Sequence, residues 1–265
     1  MKKSGTVAQF KHISLSIKQH IASVQLNRSP VNALNQEFVS ELTHCAHSFK
    51  QNDDIWIVSV SSALEVFCAG ADLKERATLS PSKVRSVVKN IQKMVSAWLD
   101  IPQPVIMKIN GVALGGGLEF ALAGDILFAS ESAVLGFPEV GLGIIPAAGG
   151  TQLLSRRTTM GTAQKWILTS NRFSALEAQS DGVVDIVVPA SKMTEEYSRL
   201  LDSLSKQAPR ALRQAKKAIN GGLALTLKRA LNFEQTCYEP LIATDDRKEA
   251  LQSFIEKRKP IWRNT

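Results

Sequence analysis

The chain has 265 residues, 44% hydrophobic and 21% charged, a balance that supports a buried core without disulfides or a structural metal. Its three cysteines, Cys45, Cys68 and Cys237, are odd in number and far apart, which argues against a disulfide framework or a CxxC metal site and fits a reducing, cytoplasmic setting. The formal net charge of +8 implies attraction to anions, whether nucleic acid, acidic lipid or a polyanionic cofactor, and does not choose among them.

The opening Met1-Lys2-Lys3 is basic, but no apolar stretch follows it and no later apolar run is long enough to span a bilayer, so neither an export signal nor a membrane anchor is expected. Alternating apolar residues over Ile13 to Ile17 and Ile21 to Leu26 predict two short strands forming a hairpin. Phe38, Leu42, Ala46 and Phe49 then recur at helical spacing, and Ile55 to Val60 reads as a buried strand. A loop through Phe67-Cys68-Ala69-Gly70-Ala71-Asp72 precedes a second helix, which Pro81 opens and along which Val84, Val87, Val88, Ile91, Met94, Val95 and Trp98 form an apolar stripe. The strand Val105 to Ile109 ends at Asn110-Gly111, and Leu118 to Ala123 is helical again. Strand-like pieces at Ile126 to Phe128 and Ala133 to Leu135 lead into a loop from Gly136 to Gly150 with two prolines and five glycines, a length that usually carries function. Beyond residue 151 the pattern is mainly helical, with one strand expected at Val183 to Val188. The expected organisation is an α/β core over residues 1–195 followed by a helical C-terminal region over 196–265. Basic clusters at Arg213 to Lys217 and Lys257 to Lys259 read as solvated helix faces.

Gly115-Gly116-Gly117, directly before a predicted helix, offers free backbone N–H groups and the positive end of a helix dipole to an anion or a developing oxyanion; a glycine turn that merely packs the helix is an equally good reading of the same residues. Glu119 falls in the first turn of that helix, where the dipole favours its charge and where it also suits a simple capping role. Glu139, 20 positions later, lies in the largely apolar stretch Gly136 to Gly141, where burial would favour its protonated form. Two carboxyl groups brought together can hold one proton between them, one acting as base toward water and the other as acid toward carbon. A second glycine turn, Ala69-Gly70-Ala71, offers another N–H, although taken alone it reads as an ordinary turn.

These residues resemble the crotonase family, also called the enoyl-CoA hydratase/isomerase family. The likeness runs through Phe67 to Glu75, Asn110 to Glu119, Phe137-Pro138-Glu139 and Gly141 to Gln152, and extends from Val31-Asn32-Ala33-Leu34-Asn35 to Phe254-Ile255-Glu256-Lys257-Arg258. The resemblance implies a crotonase-like spiral of repeated β-β-α units with C-terminal helices that assemble homotrimers, paired into homohexamers. It implies an oxyanion hole from the amides of Ala71 and Gly116, and a hydratase pair in which Glu139 protonates the α-carbon of a 2-enoyl-CoA while Glu119 assists water addition at the β-carbon. Both family glutamates are present, which puts hydration ahead of isomerisation. The thioester substrate carries its own coenzyme A, so no separate cofactor or metal is implied. Ala69, Asp72, Leu73, Lys74, Phe254 and Lys257 are the residues that the likeness assigns to substrate or CoA contact. A 3-methylglutaconyl-CoA-like substrate is an alternative suggested by the Cys68 to Glu75 segment. The chain departs from the family after Ile145-Pro146, where Gln152 is followed by Leu153 in place of the usual arginine.

Other classes fit less well. His12, His20, His44 and His47 all lie in the first 47 residues and no GxSxG occurs, which disfavours a serine hydrolase. No P-loop, dinucleotide fingerprint, metal-ligand spacing or RNA-binding module is recognisable, so nucleic acid is not an expected partner. A scaffold that binds acyl-CoA without turnover is disfavoured by the presence of both glutamates.

Overall fold

A computed structural model describes residues 10–265; the Met1-Lys2-Lys3 opening on which the export-signal reading rests lies outside them. The alternating N-terminal segments form β1 (Ile13–Lys18) and β2 (Ile21–Leu26), an antiparallel hairpin in which Lys18 faces Ile21. Its two turn residues, Gln19 and His20, have φ of 48° and 66°, the backbone twist that tight hairpins require. α1 (Gln36–Phe49) starts where the Asn35 side chain accepts the Phe38 N–H, and it buries the expected face, Phe38, Leu42, Ala46 and Phe49. β3 (Ile57–Ser62) begins two residues later than its apolar run suggests. It is followed by α2 (Leu73–Ala77) and α3 (Pro81–Leu99), the latter with Pro81 in its first turn as anticipated.

The chain continues through β4 (Val105–Ile109), β5 (Ala113–Leu114), α4 (Gly116–Ala121), β6 (Ile126–Ser130) and β7 (Val134–Gly136). Then come α5 (Gly150–Arg157), α6 (Met160–Leu168), β8 (Arg172–Ser174), α7 (Ala175–Ser180) and β9 (Ile186–Val188), and finally α8 (Met193–Ser205), α9 (Pro209–Gly222), α10 (Leu227–Tyr238) and α11 (Asp245–Ile255). One sheet runs β1-β2-β3-β4-β6-β9, parallel everywhere except in the opening hairpin. A second, thinner ladder accompanies it: single parallel bridges join Leu34 to Ala71 and Cys68 to Ala113, and β5 pairs with β7, which pairs with β8. Successive passes of the chain contribute to both ladders and then return through a helix, the spiral of β-β-α units. Between ladders and helices lies an aromatic core in which Trp98 meets Phe49 and Phe120 edge-on at 6.2 and 5.1 Å and donates its indole N–H to Leu42 O at 3.0 Å.

The expected split at 195/196 falls inside α8, so it marks no break in the chain. Met193 and Tyr197 on either side of it pack with Ile57, Ile106 and Phe128, and the Tyr197 hydroxyl lies 2.7 Å from Ser59 Oγ, so this helix belongs to the core. The next helix, α9, is tied back by charge. Lys216 Nζ on α9 lies 2.6 Å from Asp125 Oδ2 and donates to Gln103 O at 3.0 Å, and Arg213 reaches Asp53 at 2.6 Å and Ile55 O at 2.8 Å. Cys45, Cys68 and Cys237 are buried and unpaired, and no helix among the described residues is long and apolar enough to cross a membrane.

Candidate active site

The thin second ladder gathers the residues singled out by the sequence. Leu34 N–H donates to Gly70 O at 2.8 Å and Asp72 N–H donates to Leu34 O at 3.1 Å, a bridge geometry that turns the intervening Ala71 N–H to the opposite side. Gly70 has φ +91°, and a Cβ there would lie 2.7 Å from Leu114 O and 3.2 Å from Gly116 N, so only glycine lets this loop approach the start of α4. Gly116 opens that helix, where an amide has no intrahelical acceptor. Neither the Ala71 nor the Gly116 N–H donates to an acceptor among the described residues. A Cβ built on Gly116 would sit 3.6 Å from Ala71 N and 3.8 Å from Glu119 Oε2, which places both amides and that carboxylate around one small space.

Glu119 is 3% exposed, and its Oε1 accepts the N–H groups of Ala148 at 2.7 Å and Gly150 at 2.8 Å. Burial raises its pKa above the usual carboxylate value against the pull of those amides, with Arg76 also lowering it. Glu139 lies three residues past β7. Its Oε1 would be 2.6 Å from a Cβ on Gly115, and its Oε2 is buried without a hydrogen-bond partner. Burial pushes its pKa up to about 7; its own backbone N–H and Arg76 oppose the rise, and the Glu119 charge adds to it. Each carboxyl therefore holds its proton more tightly than an exposed one, and the charge of Glu119 is felt at Glu139.

A cavity of about 420 Å³ opens over these groups. Ala69, Ala71, Leu73, Gly116, Glu119 and Glu139 line it, whereas Asp72, Lys74, Phe254 and Lys257 do not. Asp72 caps α2 by accepting the Glu75 N–H and pairs with Arg28 at 2.9 Å, so its carboxylate serves the loop's structure. Lys74 is solvent-facing on α2, Phe254 is 84% exposed on α11 and Lys257 is exposed just beyond it. Gly70 and Gly115 of the two glycine turns also line it, and sequence reasoning missed its apolar walls and Arg76. Val84, Val88 and Ile91 face the cavity from the apolar stripe of α3, a stripe that spacing alone assigns to core. Leu142, Ile144 and Ile145 come from the long loop, and Arg76 from α2, a helix too short to give a periodic signal. Arg76 Nε is buried without a partner, and among the described residues this guanidinium makes no salt bridge. No three His, Cys, Asp or Glu side chains among the described residues group as metal ligands would.

Comparison with known proteins bears on this arrangement. The family described as Enoyl-CoA hydratase/isomerase matches residues 16–265. The chain is 42% identical over 245 residues to the "Probable enoyl-CoA hydratase 2, mitochondrial" of Arabidopsis thaliana, covering 91% of this chain and 81% of the relative. It is 38% identical over 237 residues to the human "Methylglutaconyl-CoA hydratase, mitochondrial", covering 88% and 70% respectively. The solved structure of an enoyl-CoA hydratase from Bacillus anthracis superposes with a TM-score of 0.94 at 40% identity, over 96% of this chain and 100% of that one.

Proposed function

The chain belongs to the enoyl-CoA hydratase/isomerase family, and within it we propose hydration: addition of water across the double bond of a 2-enoyl-CoA to give a 3-hydroxyacyl-CoA. The observation that carries this reading is the meeting of two uncommitted amides, Ala71 and Gly116, with two buried carboxyl groups at the floor of one apolar cavity. The thioester oxygen, held between the amides, takes on negative charge as the enolate forms, and preorganised N–H donors stabilise it there. Glu119, its Oε1 fixed by two amides, accepts a proton from water as the water oxygen bonds to the β-carbon. Glu139, protonated near neutrality, returns a proton to the α-carbon. Disappearance of the conjugated enoyl-thioester absorbance with crotonyl-CoA tests the proposal, with turnover expected to collapse in Glu119→Gln and Glu139→Gln. A wild type that only converts 3-enoyl-CoA to 2-enoyl-CoA would make it an isomerase, and one that binds acyl-CoA with no turnover would sink both.

Arg76 favours a second reading of the acyl group. A cation beside an apolar acyl cavity, without a salt bridge among the described residues, suits a carboxylate on the substrate, as in 3-methylglutaconyl-CoA. The expected result is a kcat/KM ratio for 3-methylglutaconyl-CoA over crotonyl-CoA that drops about tenfold or more in Arg76→Met. An unchanged ratio leaves the straight-chain substrate.

We propose Lys74 as a CoA contact and Phe254 and Lys257 as contacts to the nucleotide end of CoA in a neighbouring subunit's site, a reading that fits the distance of the last two from this chain's own cavity. Homotrimers or homohexamers are supported by the exposed apolar side chains of the last helices, including Leu223, Leu227 and Phe254 at 67%, 76% and 84% exposure. Light scattering checks the assembly. The three buried, unpaired cysteines support a reducing, cytoplasmic compartment.

A further inference from the structure

Glu139 rides on a segment with little regular structure of its own: β7 ends at Gly136 and the next turn is a 3-10 helix of only three residues, Val140–Leu142. The Leu142 and Ile144 N–H groups donate to Glu139 O at 2.9 and 3.1 Å and close a tight local turn, which is tied to the rest of the chain on both sides. On the upstream side, Gly136 pairs with Arg172 of β8, so closely that a Cβ on Gly136 would lie 2.6 Å from Asn171 O. On the downstream side, the Gly141 N–H donates to Ser170 Oγ at 2.8 Å. The downstream anchor comes from the three-residue turn Thr169-Ser170-Asn171 between α6 and β8, the upstream one from β8 itself, and Glu139 lies between the points they hold. Ser170 has φ +53°, a left-handed conformation that costs a side-chain-bearing residue about 1–2 kcal/mol and that glycine adopts freely. Glycine would relieve that strain, and what serine offers in its place is the hydroxyl that accepts the Gly141 N–H.

We infer that Ser170 is a positioning residue for Glu139: its left-handed backbone holds out a hydroxyl that closes the turn aiming the Glu139 carboxyl into the cavity. The inference rests on the hydratase reading only in calling Glu139 catalytic. Displacement of an acid by about 1 Å can lower a rate about 100-fold, so a single hydrogen bond at this place has leverage on chemistry and little on folding.

The test compares Ser170→Gly, which relieves the backbone and removes the hydroxyl, with Ser170→Asn, which tolerates positive φ and can accept the Gly141 N–H through its side-chain oxygen. Two readouts are taken on the full chain. One is the titration of the Glu139 carboxyl carbon by NMR in glutamate-labelled protein, assigned by its loss in Glu139→Gln. The other is hydration of crotonyl-CoA. In Ser170→Gly the titration midpoint is expected to move down toward the ordinary carboxylate value as the loosened turn admits water. Its kcat should fall about tenfold or more with KM within about twofold, and Ser170→Asn should recover most of both. A midpoint and kcat equal to wild type in Ser170→Gly would overturn the inference, as would a lower melting temperature with an unmoved midpoint, the signature of a purely structural serine. Failure of the hydratase reading would show instead as an inactive wild type, and the titration would still decide whether Ser170 sets the environment of Glu139.

Discussion

Glu139→Gln is expected to make the protein more stable at alkaline pH while abolishing its chemistry. A carboxyl held at about 7 instead of 4.5 disfavours its charged form by about 3 kcal/mol, at about 1.4 kcal/mol per pH unit. Because its folded-state pKa is raised, the folded chain binds more protons than the unfolded chain between roughly 4.5 and 7, and stability falls as pH rises through that window. Above it the whole cost persists. Glutamine has nearly the same shape and never ionises, so the variant should match wild type near pH 4 and exceed it by about 2–3 kcal/mol at pH 8. Part of that difference comes from the charge of Glu119, which the variant no longer opposes. Urea unfolding at constant ionic strength across pH 4 to 8 measures it. The same proton governs the reaction: hydration by the wild type should decline as pH rises through about 7, and kcat in the variant should drop by about 10²–10⁴. A stability difference between the two proteins that stays flat across this pH range would refute the reasoning, because it would mean that folding does not favour the protonated carboxyl.

At Glu119, glutamine and alanine should separate chemistry from structure. Glu119→Gln keeps an acceptor for the Ala148 and Gly150 amides and should lose activity by about 10²–10⁴ with a near-normal melting temperature, whereas Glu119→Ala strands both buried N–H groups and should also destabilise by about 2–5 kcal/mol in chemical denaturation. Gly70→Ala adds a Cβ 2.7 Å from Leu114 O at φ +91°, so it should pry the Ala71 loop from Gly116 and reduce kcat by at least about tenfold, read by steady-state kinetics; a fully active variant would argue against the paired-amide reading. Lys216→Met leaves Asp125 without its cation at a site where the lysine side chain is 9% exposed, and unfolding by urea should register a loss of about 3–5 kcal/mol.

What the sequence made legible depended on which ladder a residue joins. All strands of the six-stranded sheet but β9 are five or six residues long, enough to show alternation or an apolar run, and β1, β2, β4 and β6 lie close to where those patterns put them. The second ladder has rungs of one to three residues, at Leu34, Cys68, Ala71, β5, β7 and β8, too short for a period, and of them only β7 is anticipated, as the apolar piece Ala133 to Leu135. Yet the site hangs from that ladder. Its local trace in the sequence is glycine chemistry, since Gly70 and Gly117 mark where backbones approach too closely for a Cβ. Arg76 and Ser170 left no comparable trace. An arginine in a five-residue helix looks like any solvated cation until α3 and the long loop close over it. A serine at the end of α6 looks like any turn residue until β8 pairs with β7 and sets its hydroxyl beside Gly141. Backbone geometry imposes its constraints residue by residue and so writes them into local sequence, whereas a side chain's partner is chosen by the winding of the spiral. By this reasoning the close-approach glycines are the part of the site that sequence alone should locate in related chains, and side chains such as Arg76 and Ser170, whose neighbours come from distant elements, are the part that requires coordinates.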